Sequence, residues 1–138
     1  AQGRDVEVVA IGATRFDAPG VRVRFVPWRY ETEVEELSRT HVGITPLPDS
    51  PWTRGKCGFK LIQTMACWRP VVASPVGANR RIVEHDVNGL LAGPGEWAAA
   101  LARLHADPAL RQRLGEAGRR SVEHEYSTAV WGPRVASL

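Results

Sequence analysis

The chain has 138 residues, 43% of them hydrophobic and 24% charged, with a formal net charge of +3. That is the size of one globular domain with one core, and a mean hydropathy of -0.23 with dispersed glycines and prolines excludes disorder over most of its length. No apolar run approaches the ~20 residues of a membrane-spanning helix, and the opening Ala-Gln-Gly-Arg-Asp has no signal-peptide pattern.

Val6–Ile11 is a β-branched run closed by Gly12, and Val21–Val26 alternates apolar and polar residues before Pro27, so both read as strands. Thr32–Leu37 reads as a helix with acids in its first turns, ending toward His41. Val42–Leu47 is a third strand, followed by the turn-rich Pro48-Asp49-Ser50-Pro51. Gly58, Leu61, Ile62, Met65 and Ala66 then recur at the spacing of a core-facing helix, which Arg69-Pro70 ends. Val71–Ser74 is an apolar strand of the kind buried on both faces in parallel sheets, and a helix follows over Asn79–His85. Leu90–Ala92 is a last short strand. Two amphipathic helices come after it, with Pro108 suited to the first turn of the second.

Strands alternating with helices predict an α/β, Rossmann-like fold with a parallel sheet flanked by helices. Ligands of such sheets bind beyond the carboxyl ends of the strands, here the loops after residues 11, 26, 47 and 73.

The loop after the third strand, Pro51-Trp52-Thr53-Arg54-Gly55-Lys56-Cys57-Gly58, opens into the helix of Gln63. Helix N-termini present unpaired N–H groups and partial positive charge, and Gly55 and Gly58 let backbone approach a ligand. Lys56, Lys60 and Gln63, at i, i+4 and i+7, are expected to form one helical stripe that suits a diphosphate and a ribose. The alternative is a solvated helix face. Against that stands the usage of cations: sixteen arginines but only two lysines, both in this segment. Lysine is a compact point charge, so its confinement to this loop favours phosphate binding.

Other patterns carry less. Cys57 and Cys67 cannot form a disulfide framework, and if they share one helix they stand too far apart to bridge, which predicts a reducing, cytoplasmic setting. His41, His85, His105 and His124 have no metal-ligand spacing, so no metal is expected. Cys57 at a helix start has no histidine placed to act as its base, which argues against nucleophilic catalysis. Trp28 reads as packing at a strand end, with nucleobase stacking as its alternative. The arginines are scattered and often neighbour acids, so no nucleic-acid partner is expected. Gly12 and Gly77 do not make a dinucleotide fingerprint.

The run Gly58-Phe59-Lys60-Leu61-Ile62-Gln63-Thr64-Met65-Ala66-Cys67, then Arg69–Gly77, Ile82-Val83-Glu84 and Asn88-Gly89-Leu90-Leu91, resembles the C-terminal half of a GT-B glycosyltransferase. The similarity is greatest to the large retaining group called family 4, and it covers essentially the whole chain. The resemblance implies one Rossmann-like domain over residues 1–138, lacking its first strand and cut from a longer chain. Residues 127–138 would form a terminal helix packing back toward a missing N-terminal acceptor domain. It also implies transfer of a sugar from a nucleotide-diphosphate donor, in a bacterial setting of polysaccharide biosynthesis. No metal or other cofactor would be needed, and this part alone would be inactive. Donor-binding residues by this reading are Arg54, Gly55, Lys56, Gly58, Lys60 and Gln63.

The family's two glutamates map onto Gly55 and Gln63, neither of which is an acid. Trp68 and Asp86 stand where the family has glycine, and Arg81 where it has glutamate. A degenerate nucleotide-binding or interaction module without transferase activity is therefore the alternative function, and an unrelated Rossmann-like phosphate binder a third. The family's glycines serve left-handed helix ends, so a tryptophan at 68 is expected to cost about 1 kcal/mol or to change the geometry.

Overall fold

In a computed structural model of the protein, residues 6–138 are described; the five N-terminal residues, among them those read above as no signal peptide, lie outside. The chain divides into two compact units, meeting between Thr40 and His41.

The first unit holds β1 (Glu7–Ile11), β2 (Arg22–Val26) and α1 (Glu33–Ser38). The strands pair in parallel from Glu7↔Arg22 to Ile11↔Val26. Arg24 extends the pairing through ion pairs with Glu7 at 3.3 Å and Glu36 of α1 at 3.6 Å. Gly12 turns the chain out of β1 at φ +72°, and a β-carbon there would stand 2.9 Å from that of Trp28. Glycine is required by both the conformation and the contact. His41 does not end α1, which stops at Ser38.

The second unit contains β3 (Gly43–Thr45), α2 (Pro51–Arg54), α3 (Phe59–Ala66), β4 (Val71–Ala73), α4 (Asn79–Ile82), β5 (Leu90–Leu91), α5 (Trp97–Ala106), α6 (Pro108–Glu125) and α7 (Thr128–Ala136). Its sheet has the order β3-β4-β5, every pairing parallel. The expected parallel α/β class is observed, with its strands in two separate sheets. β4 is central and buried throughout, as its apolar run predicts. Side-chain alternation sends Val71 and Ala73 into a cluster with Leu61, Met65, Ile82 and Val122, and Val72 into another with Leu90, Leu104, Leu110 and Leu114. α6 contributes to both clusters, through Val122 to the first and Leu110 and Leu114 to the second.

Local chemistry sets the ends of these elements. Asp107 caps α6 by accepting from the Leu110 N–H at 2.9 Å, and Pro108 occupies the first turn where its missing N–H costs nothing. α4 is shorter than expected and stops at Ile82, leaving His85 in a turn where its Nδ1 accepts from the Leu91 N–H at 3.0 Å. Buried Asn88 holds that turn: its Oδ1 accepts from the Glu84 N–H at 2.8 Å, and its Nδ2 donates to the Ile82 carbonyl and to Ser121.

α3 ends in a left-handed residue, so of the two outcomes expected for a tryptophan at 68, backbone cost or changed geometry, the first is found. Trp68 has φ 61°; its N–H donates to the Met65 carbonyl at 3.1 Å, and that of Arg69 to Thr64 at 3.4 Å. This is the bond pair of a Schellman helix end, for which glycine is the low-cost residue. In that region a tryptophan costs about 1–2 kcal/mol. Two contacts from α6 offset it. Arg119 places its guanidinium 5.6 Å from the Trp68 ring centroid and donates to the Ala66 carbonyl at 2.6 Å, closing the helix end. Asp86, at φ 65°, is likewise held, by Arg103 on its carboxylate at 2.6 Å and Arg113 on its carbonyl at 2.9 Å.

Candidate nucleotide-diphosphate site

The site is built on the carboxyl ends of β3 and β4. Ser74, leaving β4, accepts from the Leu47 N–H at 2.9 Å, which ties the two strand ends together. Asn79, buried at the start of α4, donates to the Ser74 carbonyl at 3.0 Å and fixes the turn between them. Gly77 lies in that turn at φ +54°, and a β-carbon on it would be 2.6 Å from the Arg54 carbonyl. The loops after β3 and β4 therefore meet backbone to backbone.

Within the first loop, a helix intervenes where a plain loop was expected. Ser50 accepts from the Thr53 N–H and Thr53 Oγ1 from the Ser50 N–H, a reciprocal cap that starts the four-residue α2. Buried Thr53 is the sequence signal for it, three residues after a serine and followed by no further helical pattern. α2 then places Asp49 and Arg54 side by side, with Arg54 Nε donating to Asp49 Oδ1 at 2.6 Å. That hydrogen bond holds the Asp49 carboxyl below its ordinary value and the Arg54 guanidinium above its own. Arg54 is thus engaged by a carboxylate that sequence reasoning did not single out.

Gly55 ends α2 at φ −81°, an ordinary helical conformation, and a β-carbon there would meet only carbonyls at 3.5 and 3.9 Å. Neither its backbone nor the space around it demands glycine. Gly58 is the opposite case: φ is +73° and a β-carbon would collide with Ile82 Cδ1. It starts α3 and lets that helix approach α4. The first turn of α3, Phe59-Lys60-Leu61, carries no side-chain cap, which leaves its N–H groups open to an acceptor.

The expected stripe is partly overturned. Lys56 precedes Gly58 and lies outside α3, so only Lys60 and Gln63 share that helix, one turn apart. The left-handed Gly58 breaks the periodicity on which the stripe was reckoned. Both lysines are exposed, one before and one after the Gly58 that starts α3, with Gln63 half-buried. Cys57 is exposed in the loop and Cys67 caps the far end of α3, so the two do not share a helix either. Exposed Trp52 and Phe59 border the lysine loop, aromatic neighbours that the sequence reading passed over.

In the first unit, Gly12, Ala13, Phe25, Val26, Pro27 and Trp28 line an open hollow beyond β1 and β2. Trp28 Nε1 donates to Glu33 at 2.9 Å, so the indole is anchored on α1 while half exposed. Among the described residues, no cluster of three or more histidine, cysteine or acidic groups could hold a metal ion.

Residues 1–107 match the family model described as glycosyl transferases group 1. The chain belongs to this family. Within it, the D-inositol 3-phosphate glycosyltransferase of Xylanimonas cellulosilytica is 37% identical over 84 residues, 59% of this chain and 19% of that protein. Its counterpart in Salinispora arenicola is 33% identical over 101 residues, 71% of this chain and 22% of that one. The chain thus spans about a fifth of the length of these curated relatives. Among solved structures, sucrose-phosphate synthase from Thermosynechococcus elongatus is 31% identical with a TM-score of 0.75, over 86% of this chain and 30% of that one. HepE from Anabaena, solved with UDP and glucose, shares the fold at 21% identity and a TM-score of 0.72, over 84% of this chain and 31% of that one.

Proposed function

We propose that this chain is the donor-binding part of a group 1 glycosyltransferase, holding the diphosphate of a nucleotide sugar over the start of α3. The observation that carries the reading is the uncapped first turn of α3, which holds exposed Lys60 and follows exposed Lys56, on a loop packed against Gly77 and the turn that Asn79 fixes. N–H groups and ammonium charges there suit an anion, and they would stabilise the charge that develops on a departing diphosphate. Gln63, one turn on, offers an amide to ribose hydroxyls. The HepE structures, solved with UDP and with UDP-glucose, support a uridine nucleotide as the first ligand to try.

By this reading no metal takes part, since Lys56 and Lys60 supply the positive charge. Acceptor binding and completion of the catalytic cleft fall to a preceding domain of the same polypeptide, with α7 reaching toward it. A cytoplasmic role in polysaccharide synthesis fits the two free thiols and the nucleotide donor.

Calorimetric or NMR titration with UDP, GDP and ADP, with and without Mg²⁺, tests the proposal. Saturable binding of one nucleotide that is indifferent to the metal is expected. Failure of all three to bind would overturn the site.

A further inference from the structure

At the far end of α3 from the lysine loop, a second place in the fold has the makings of a ligand site. An open cleft of about 270 Å³ is lined by Trp68, His41, Arg69, Pro70, Arg111, Gln112 and Glu116. α3 has eight residues, which separates the two places by about 12 Å of helix.

Three features of Trp68 are unexplained by folding alone. Its backbone is left-handed, a conformation in which glycine would complete the same Schellman bonds without strain. It is nonetheless 51% exposed, so about half of a large apolar surface is left in water. Its ring is also held still. Arg119 lies against it at 5.6 Å and is itself pinned by the Ala66 carbonyl and by Glu123 at 2.7 Å. A strained residue kept at a surface, with its side chain immobilised and accessible, is how a binding platform is built.

The rest of the cleft indicates what the platform would take. An imidazole, a guanidinium, an amide and a carboxylate are planar groups that between them donate and accept hydrogen bonds. Gln112 and Glu116 stand one turn apart on α6 and are joined at 3.0 Å, which sets them as one polar edge. Arg111 is committed to the Leu104 and His105 carbonyls at 2.6 and 3.1 Å and so serves the wall. The charges are mixed, two arginines against Glu116, so neither a phosphate nor a polyacid is singled out. An indole face beside planar hydrogen-bonding groups without one dominant sign suits a ring that has an apolar C–H face and hydroxyls at its edge. We infer that this cleft is a saccharide-binding site, for a neutral sugar ring stacked on Trp68, separate from the nucleotide site and independent of the donor reading.

The test is an NMR titration of the 138-residue chain with methyl glucoside, N-acetylglucosamine, maltose and cellobiose, following the five tryptophan indole N–H signals. Trp68→Phe assigns the relevant signal. A saturable shift of the Trp68 signal is expected at millimolar sugar, while the exposed Trp52 and Trp131 stay put and added UDP does not compete. Trp68→Gly suits the backbone and should fold; it is expected to weaken the sugar about tenfold or more, with Trp68→Tyr restoring most of the affinity. Three results would each overturn the inference: no saturable shift with any of the sugars up to tens of millimolar, equal shifts at Trp52 and Trp131, or undiminished binding by Trp68→Gly.

Discussion

Gly115 of α6 lies so close to Trp68 that a β-carbon at position 115 would overlap the Trp68 carbonyl oxygen. The obstacle is backbone on both sides, in a segment already fixed by the end of α3, so neither partner can yield cheaply.

Gly115→Ala is therefore expected to destabilise the second unit by about 1–3 kcal/mol, the range for forcing a methyl group into filled space. Alanine's better helix propensity does not compensate. Chemical denaturation of the two proteins checks this.

Replacements at Trp68 separate ring from backbone. Alanine and glycine both remove the contact with Arg119, yet only glycine accepts φ 61° without strain. Trp68→Ala is expected to be less stable than Trp68→Gly by about 1 kcal/mol, the reverse of the order found inside helices. Thermal melts of the pair decide it.

Lys60→Ala leaves an exposed position without disturbing α3, so stability should hold while nucleotide affinity falls by about 1–3 kcal/mol, the loss of a charge-assisted hydrogen bond. Lys56→Ala should act similarly from the other side of the helix start. Unchanged affinity in both would remove the diphosphate role of this loop.

Tyr126 supplies a pH signature. Burial, followed by the nearby Glu125 carboxylate, raises its phenol above the ordinary value of 10.0, although the charge of Arg81 works the other way. A folded-state value above the unfolded one means that its contribution is complete below about pH 10 and is lost as pH rises further. Tyr126→Phe should lose stability less steeply than the parent between about pH 9 and 11, measured as midpoint against pH.

Much of this arrangement was legible in the residues. β4 announced itself by three consecutive aliphatic or small residues, α6 by Asp107-Pro108, and the left-handed turns at 68 and 86 by comparison with a family that has glycine there. What was not legible depended on contacts between distant segments. α2 has only four residues, too few to show an apolar period, and is held by a side-chain cap at its start. The lysine stripe failed because a helical repeat was counted across Gly58, whose backbone is left-handed at φ +73°. Asp49 carried no motif at all, and gained its place when α2 brought Arg54 beside it.

The division of the chain at Thr40 carries a consequence for how it opens. Every fully buried residue among those described lies in the second unit, whereas β1 and β2 form a two-stranded ribbon whose residues are all partly accessible. Ribbons of that kind are marginal by themselves. Amide hydrogens of β1 and β2 should accordingly exchange with solvent through local opening, well before those of β4, which are released only when the second core comes apart.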